Sequence, residues 1–168
     1  MDDADKTQAG SPPSGGHDDP RSRVGTILAG RYRILRLLGE GAQGSVYVGE
    51  HLRIGRKDAI KVLQPTLLKD EDAVARFRRG ASKASHINHP NVCTVYDFGE
   101  TEDGLPFMAS EFVEGKELHD ILRTDAPMEL ERAVDLLEQT AAGLTAAHDL
   151  NIVHRDLKPA NVMLTRGR

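Results

Sequence analysis

Three glycines spaced as Gly39-Glu40-Gly41-Ala42-Gln43-Gly44 stand between two short runs rich in branched and aromatic residues, and no other feature restricts the fold as much. Glycine has no Cβ, so backbone at this spacing can approach a bulky anion such as a phosphate. The spacing alone is weak evidence, because two architectures use it. In one of them the last glycine opens a helix. Here Gly44 is followed by Ser45-Val46-Tyr47-Val48, whose β-branched and aromatic alternation belongs to a strand. The stretch therefore reads as a glycine-rich hairpin lying over a nucleotide.

The neighbouring sequence supplies the rest of a small sheet. Residues 31–41, 44–52 and 57–63 are short, rich in Val, Ile, Leu and Tyr, and broken by Gly, which favours strands. Residues 91–100 and 105–113 read the same way and flank Thr101-Glu102-Asp103-Gly104, a composition suited to a hairpin turn. Between these groups, residues 67–87 carry Val74, Phe77, Ala81 and Ala84 at helical spacing. A second helix is predicted from Glu131 to His148, with Val134, Leu136, Leu137, Ala141, Leu144 and Ala147 in one apolar arc that demands a partner surface. His148 falls inside that arc and is expected to be packed and hydrogen-bonded.

Composition excludes several classes of function. With 168 residues, 39% of them apolar, the chain is long enough for about one domain. A net charge of −4 leaves no basic excess to hold nucleic acid. No apolar run approaches the ~20 residues of a membrane span. The single cysteine, Cys93, cannot close an internal disulfide, and the acidic start is unlike a secretion signal, so a cytoplasmic location is expected. Residues 1–23 hold Gly, Pro, Ser and Asp with little to bury and are predicted to form a disordered tail.

Two further stretches carry chemistry. Strand alternation puts Ala59 and Lys61 on one face, where the lysine reaches phosphates and the alanine leaves room for a flat base. Near the end, His154-Arg155-Asp156-Leu157-Lys158-Pro159-Ala160-Asn161 sets a carboxylate, a cation and an amide oxygen in a fixed order. Phosphoryl transfer to an alcohol needs these three: Asp156 to orient the hydroxyl and accept its proton, Lys158 for the charge on the moving group, and Asn161 as an oxygen ligand for Mg²⁺.

The order of these parts, with His89-Pro90-Asn91 after the first helix, resembles a eukaryotic-type bacterial serine/threonine protein kinase over residues 31–164. The resemblance implies an α+β fold: a protein-kinase-like N-lobe at about 28–113, made of a five-stranded antiparallel sheet plus one helix, and the start of a helical C-lobe at about 114–168. It also implies ATP and Mg²⁺ as cofactors, with Val46, Ala59 and Met163 enclosing the adenine. Glu111 and Val113 would offer hinge backbone, and Ser110 would hold the gatekeeper position. The implied partner is a protein substrate bearing Ser or Thr, with Lys158 favouring these over Tyr; a kinase-domain dimer is also allowed.

Three departures bear on activity. The family pairs the strand lysine with a helix glutamate ten residues before the Pro of the His-Pro anchor, and that position is Gly80. The nearest upstream acids, Glu71 and Asp72, lie roughly 12–13 Å away along a helix. An Asp-Phe-Gly for the second metal contact should follow the catalytic loop, yet the chain stops at Arg168. The earlier Asp97-Phe98-Gly99 is expected to be purely structural. Asp58 replaces an apolar residue ahead of Ala59, points away from Lys61, and is predicted to have a modest effect on stability. The expectation is therefore a truncated domain, 24–168, of a serine/threonine kinase; the alternative is a pseudokinase-like module that binds a nucleotide or partner without turnover.

Overall fold

Residues 57–63 alternate between two environments: Asp58, Ile60 and Val62 are buried in the core, whereas Ala59 and Lys61 face the other way and stay partly open. The structure is a computed structural model and describes residues 19–165. Its strands are β1 (Ile27–Leu28), β2 (Tyr32–Gly41), β3 (Gly44–His51), β4 (Lys57–Leu63), β5 (Val95–Glu100), β6 (Pro106–Glu111), β7 (Gly115–Glu117) and β8 (Met163–Thr165). The helices are α1 (Glu71–Ala84), α2 (Leu118–Thr124) and α3 (Leu130–Asp149). The main sheet is antiparallel in the order β1-β2-β3-β4-β6-β5, and β7 pairs with β8 separately.

Five strands were expected and six are found. The extra one, β1, is only two residues long. Ala29 and Gly30 both take left-handed backbone, with φ of 51° and 63°, and this tight reversal lays Leu28 opposite Tyr32. Nothing in a two-residue run signals a strand by periodicity. The core consists of Leu28, Tyr32, Ile34, Tyr47, Ile60, Val62, Leu105, Phe107 and Ala109, contributed by β1 to β4, β6 and the turn before it.

Part of the stretch expected to be a disordered tail is ordered. Residues 1–18 lie outside the described residues, but Pro20–Arg23 form a 3-10 helix capped by Asp19, which accepts from the Arg21 amide at 2.9 Å. The Tyr47 hydroxyl donates to the Pro20 carbonyl at 3.0 Å, and Arg23 pairs with Asp103 at 2.5 Å in the turn between β5 and β6. Polar contacts pin this segment, so a reading based on buried apolar area passes over it.

α1 begins at Glu71 rather than four residues earlier, because Pro65–Leu67 form a separate 3-10 turn and Asp70 caps the helix by accepting from the Ala73 amide at 2.9 Å. It lies against β5 and β6. Asp97, in β5, accepts from the Tyr32 hydroxyl at 3.1 Å and pairs with Arg31 at 2.6 Å, so Asp97-Phe98-Gly99 is a structural element of the sheet. The His-Pro-Asn segment meets α3: a Cβ on Gly143 would come within 3.0 Å of the Asn91 carbonyl oxygen, and the Asn91 amide donates to Gln139 at 3.0 Å. His148 is exposed in the last turn of α3, contrary to the packed histidine expected, and Leu137 on the same helix is 69% exposed.

Asp58 is the other correction. Its side chain is fully buried, and Arg56 clamps both carboxylate oxygens at 2.6 and 3.0 Å while stacking 3.6 Å above the Tyr96 ring. Removing one partner leaves a buried charge uncompensated, so the stability effect is larger than the modest one predicted. Arg56 is itself 38% exposed, which trims the loss by admitting water. In urea unfolding, Arg56→Ala is expected to cost about 2–3 kcal/mol, and adding Asp58→Val is expected to recover most of it. Equal stability of Arg56→Ala and the parent would contradict the clamp.

The glycines of the hairpin differ in the same kind of test. A Cβ on Gly44 would lie 2.1 Å from the Val62 carbonyl oxygen of β4, whereas one on Gly39 would meet nothing within 4 Å. Gly44→Ala is therefore expected to cost about 3 kcal/mol through forced strand separation, and Gly39→Ala less than about 0.5 kcal/mol. Similar unfolding midpoints for the two variants would overturn this distinction.

Candidate active site

The open face of β4 forms the roof of a cavity of about 850 Å³, within the range of small-molecule sites. Gly39 and Val46 close it from β2 and β3, Ala59 from β4, and Ser110 and Glu111 from the end of β6. Val113 lies in the connection between β6 and β7, where its N–H and C=O carry no backbone hydrogen bond among the described residues. The opposite side is Met163, held there because β8 pairs with β7 and sets Met163 across from Glu117. Seven residues expected to hold a nucleotide thus surround one space.

The remaining members of the glycine-rich stretch sit at the rim. Gly41 pairs with Gly44, leaving Ala42 and Gln43 at the tip of the turn. Gln64, just after β4, fixes that tip twice: its backbone N–H donates to the Gln43 carbonyl at 3.1 Å and its side-chain amide to the Gly41 carbonyl at 3.2 Å. Glu40 continues β2 to the rim opposite Ser45. Of the three glycines, Gly44 serves strand packing, and Gly39 and Gly41 leave the open space that a phosphate approach requires.

Lys61 lies two residues beyond Ala59 on the same face, and its ammonium donates to the Gln43 side-chain oxygen at 3.2 Å. Burial pulls its pKa down, and the charge of Asp156 works in the opposite sense. No ion pair reaches Lys61 among the described residues. Gly80 is exposed in α1 with open space where a side chain would project.

The loop after α3 gathers the other three candidates. Arg155 takes left-handed backbone at φ 64°, and the Asp156 amide donates to His154 Nδ1 at 3.3 Å. Lys158 Nζ pairs with Asp156 Oδ2 at 2.9 Å, and Asn161 Nδ2 donates to the same oxygen at 3.1 Å and to the Asp156 carbonyl at 2.7 Å. Lys158, then Asn161, hold the Asp156 carboxyl below its usual range, so it is ionised at neutral pH. With its nitrogen turned to Asp156, the Asn161 amide has its oxygen outside those two bonds, and it is an oxygen of the kind that Mg²⁺ prefers.

Leu35, Leu38 and Cys93 also line the cavity and were missed as site residues. Leu38 directly precedes the glycines, and its strand position was a usable signal. Cys93 reads from sequence as a small hydrophobe. Its thiol is accessible through the cavity, and burial followed by the Glu111 charge pushes its pKa up.

Comparison with known proteins agrees with this arrangement. The protein kinase domain family matches residues 32–168. The chain is 44% identical over 150 residues to serine/threonine-protein kinase pkn3 of Myxococcus xanthus, covering 89% of this chain and 27% of that protein. It is 48% identical over 141 residues to pkn2 of the same organism, covering 84% and 17%, and 38% identical over 141 residues to PrkC of Bacillus subtilis, covering 84% and 22%. The chain thus spans about a third or less of the length of the curated relatives it matches. A crystal structure of the Mycobacterium tuberculosis PknI kinase domain superposes with a TM-score of 0.75 at 34% identity, over 86% of this chain and 57% of that one. A domain match over residues 32–168, with the same fold in a solved relative at 34% identity, makes this chain a member of the protein kinase family.

Proposed function

We propose that this chain carries the nucleotide-binding site and the catalytic loop of a serine/threonine protein kinase. The observation that carries the reading is the Asp156 carboxylate held by both Lys158 and Asn161, on a loop near enough for its charge to act on Lys61 beside the cavity. ATP bound in the cavity would supply the phosphoryl group, and Mg²⁺ would neutralise charge on its phosphates. The base would lie between Val46 and Ala59 above and Met163 below, with Ser110 at the back, and Glu111 and Val113 would present hinge backbone to its edge. Gly39, Glu40, Gly41, Ala42 and Gln43 would cover the phosphates.

Three side chains do the remaining work. Asp156, ionised at neutral pH, accepts the proton of a Ser or Thr hydroxyl, which sharpens the oxygen as a nucleophile. Lys158 holds that carboxylate and contributes positive charge, and the Asn161 oxygen serves as the metal ligand from this loop. The implied partner is a protein bearing an accessible Ser or Thr, and the implied setting is the ATP-containing cytoplasm.

A second reading rests on Gly80. With no helix carboxylate beside Lys61, a module that binds ATP without transferring phosphate fits as well. One experiment separates the readings: ATP affinity by calorimetry together with Mg²⁺-dependent transfer of labelled phosphate to a Ser/Thr protein, for the parent chain and Asp156→Asn. The kinase reading expects similar ATP affinity for both and a loss of transfer of about 10³-fold or more in the variant. Affinity without transfer in the parent establishes the binding module, and absence of ATP binding overturns both.

A further inference from the structure

Lys61 meets a partner that the family pattern does not assign. At Gly80 there is no side chain, so α1 offers the ammonium nothing at that position. The hydrogen bond instead goes to the Gln43 side-chain oxygen, 3.2 Å away, from the tip of the glycine-rich turn. That tip is anchored independently of the contact, since Gln64 bonds the carbonyls of both Gln43 and Gly41. The backbone that carries the Gln43 side chain is therefore fixed to the end of β4, the strand that carries Lys61.

We propose that Gln43 is the positioning residue for Lys61, replacing a helix carboxylate with a neutral acceptor on the glycine-rich turn. The chemistry of the replacement differs from that of an ion pair. A carboxylate would orient the ammonium, hold its proton and offset its charge; an amide oxygen orients it and leaves the full charge for an anion. A four-carbon lysine stem has several rotamers, and one hydrogen bond at its tip favours the set that points under the turn. The charge acting on Lys61 comes from Asp156 in the catalytic loop, while the flanking strands set Val46 and Met108 opposite it, neither of them titratable. The ligand that Lys61 is held for rests on the nucleotide reading above; the Gln43 contact does not.

The two are tested separately in the 168-residue chain with isotopically labelled lysine. NMR follows the alkaline titration of Lys61, assigned by its loss in Lys61→Arg, and calorimetry gives ATP affinity. Gln43→Glu is expected to raise the Lys61 midpoint by about one unit, because a carboxylate then faces the ammonium. Gln43→Met, of similar length but without the acceptor, is expected to leave the midpoint nearly in place and to weaken ATP binding about fivefold. An unmoved midpoint in Gln43→Glu overturns the proposal whether or not ATP binds. Unchanged ATP affinity in Gln43→Met overturns it as well. A shifted midpoint in a chain that binds no ATP in any form supports the Gln43 contact and overturns the nucleotide reading alone.

Discussion

The pleat of β4 is the constraint on which the rest of the structure depends. Successive side chains of a strand point to opposite faces, so a single seven-residue run places Asp58, Ile60 and Val62 in the core and Ala59 over the cavity, with Lys61 next along the same open face. A slip of one residue would put a lysine in the core and empty the site. Two devices oppose that slip. The Val62 carbonyl approaches Gly44 so closely that only glycine fits, and the Arg56 clamp satisfies Asp58 only when its side chain is inward.

The same register explains why the site is assembled from distant segments. β3 and β6 flank β4, bringing Val46 and Ser110 to either side of Ala59 and Lys61. The lower boundary comes from elsewhere in the chain. Met163 is held by the short β7–β8 pair, and the catalytic loop follows α3, which meets the upper part through Gly143 and Asn91. The lack of a side chain at Gly143 lets the helix approach to contact distance. A larger residue there would press on the Asn91 carbonyl.

Much of this was legible in the residues, and the exceptions have physical causes. The strand after Gly44 and the turning of Asp58 away from Lys61 followed from period-two alternation, and residue type and spacing anticipated that Asp156, Lys158 and Asn161 would come together. β1 was missed because two residues carry no period. The 3-10 helix at Pro20–Arg23 was missed because hydrogen bonds and an ion pair hold it in place of apolar burial. Gln43 was read as part of the glycine-rich turn, but its bond from Lys61 was not, because a contact between a turn and a strand 18 residues on leaves no periodic pattern. The weight of Asp58 was underestimated because the sequence reading did not pair it with Arg56 or stack that arginine on Tyr96.

The central claim is that ATP occupies the cavity under β4, and Cys93 provides a built-in reporter. It is the sole cysteine of the chain and lines that cavity with Ser110. The decisive measurement is the rate of Cys93 alkylation by N-ethylmaleimide as ATP is added. A ligand that fills the site covers most of its lining, so the rate is predicted to fall at least about fivefold as ATP saturates. A rate that stays constant while calorimetry shows ATP bound would place the nucleotide elsewhere and contradict the account.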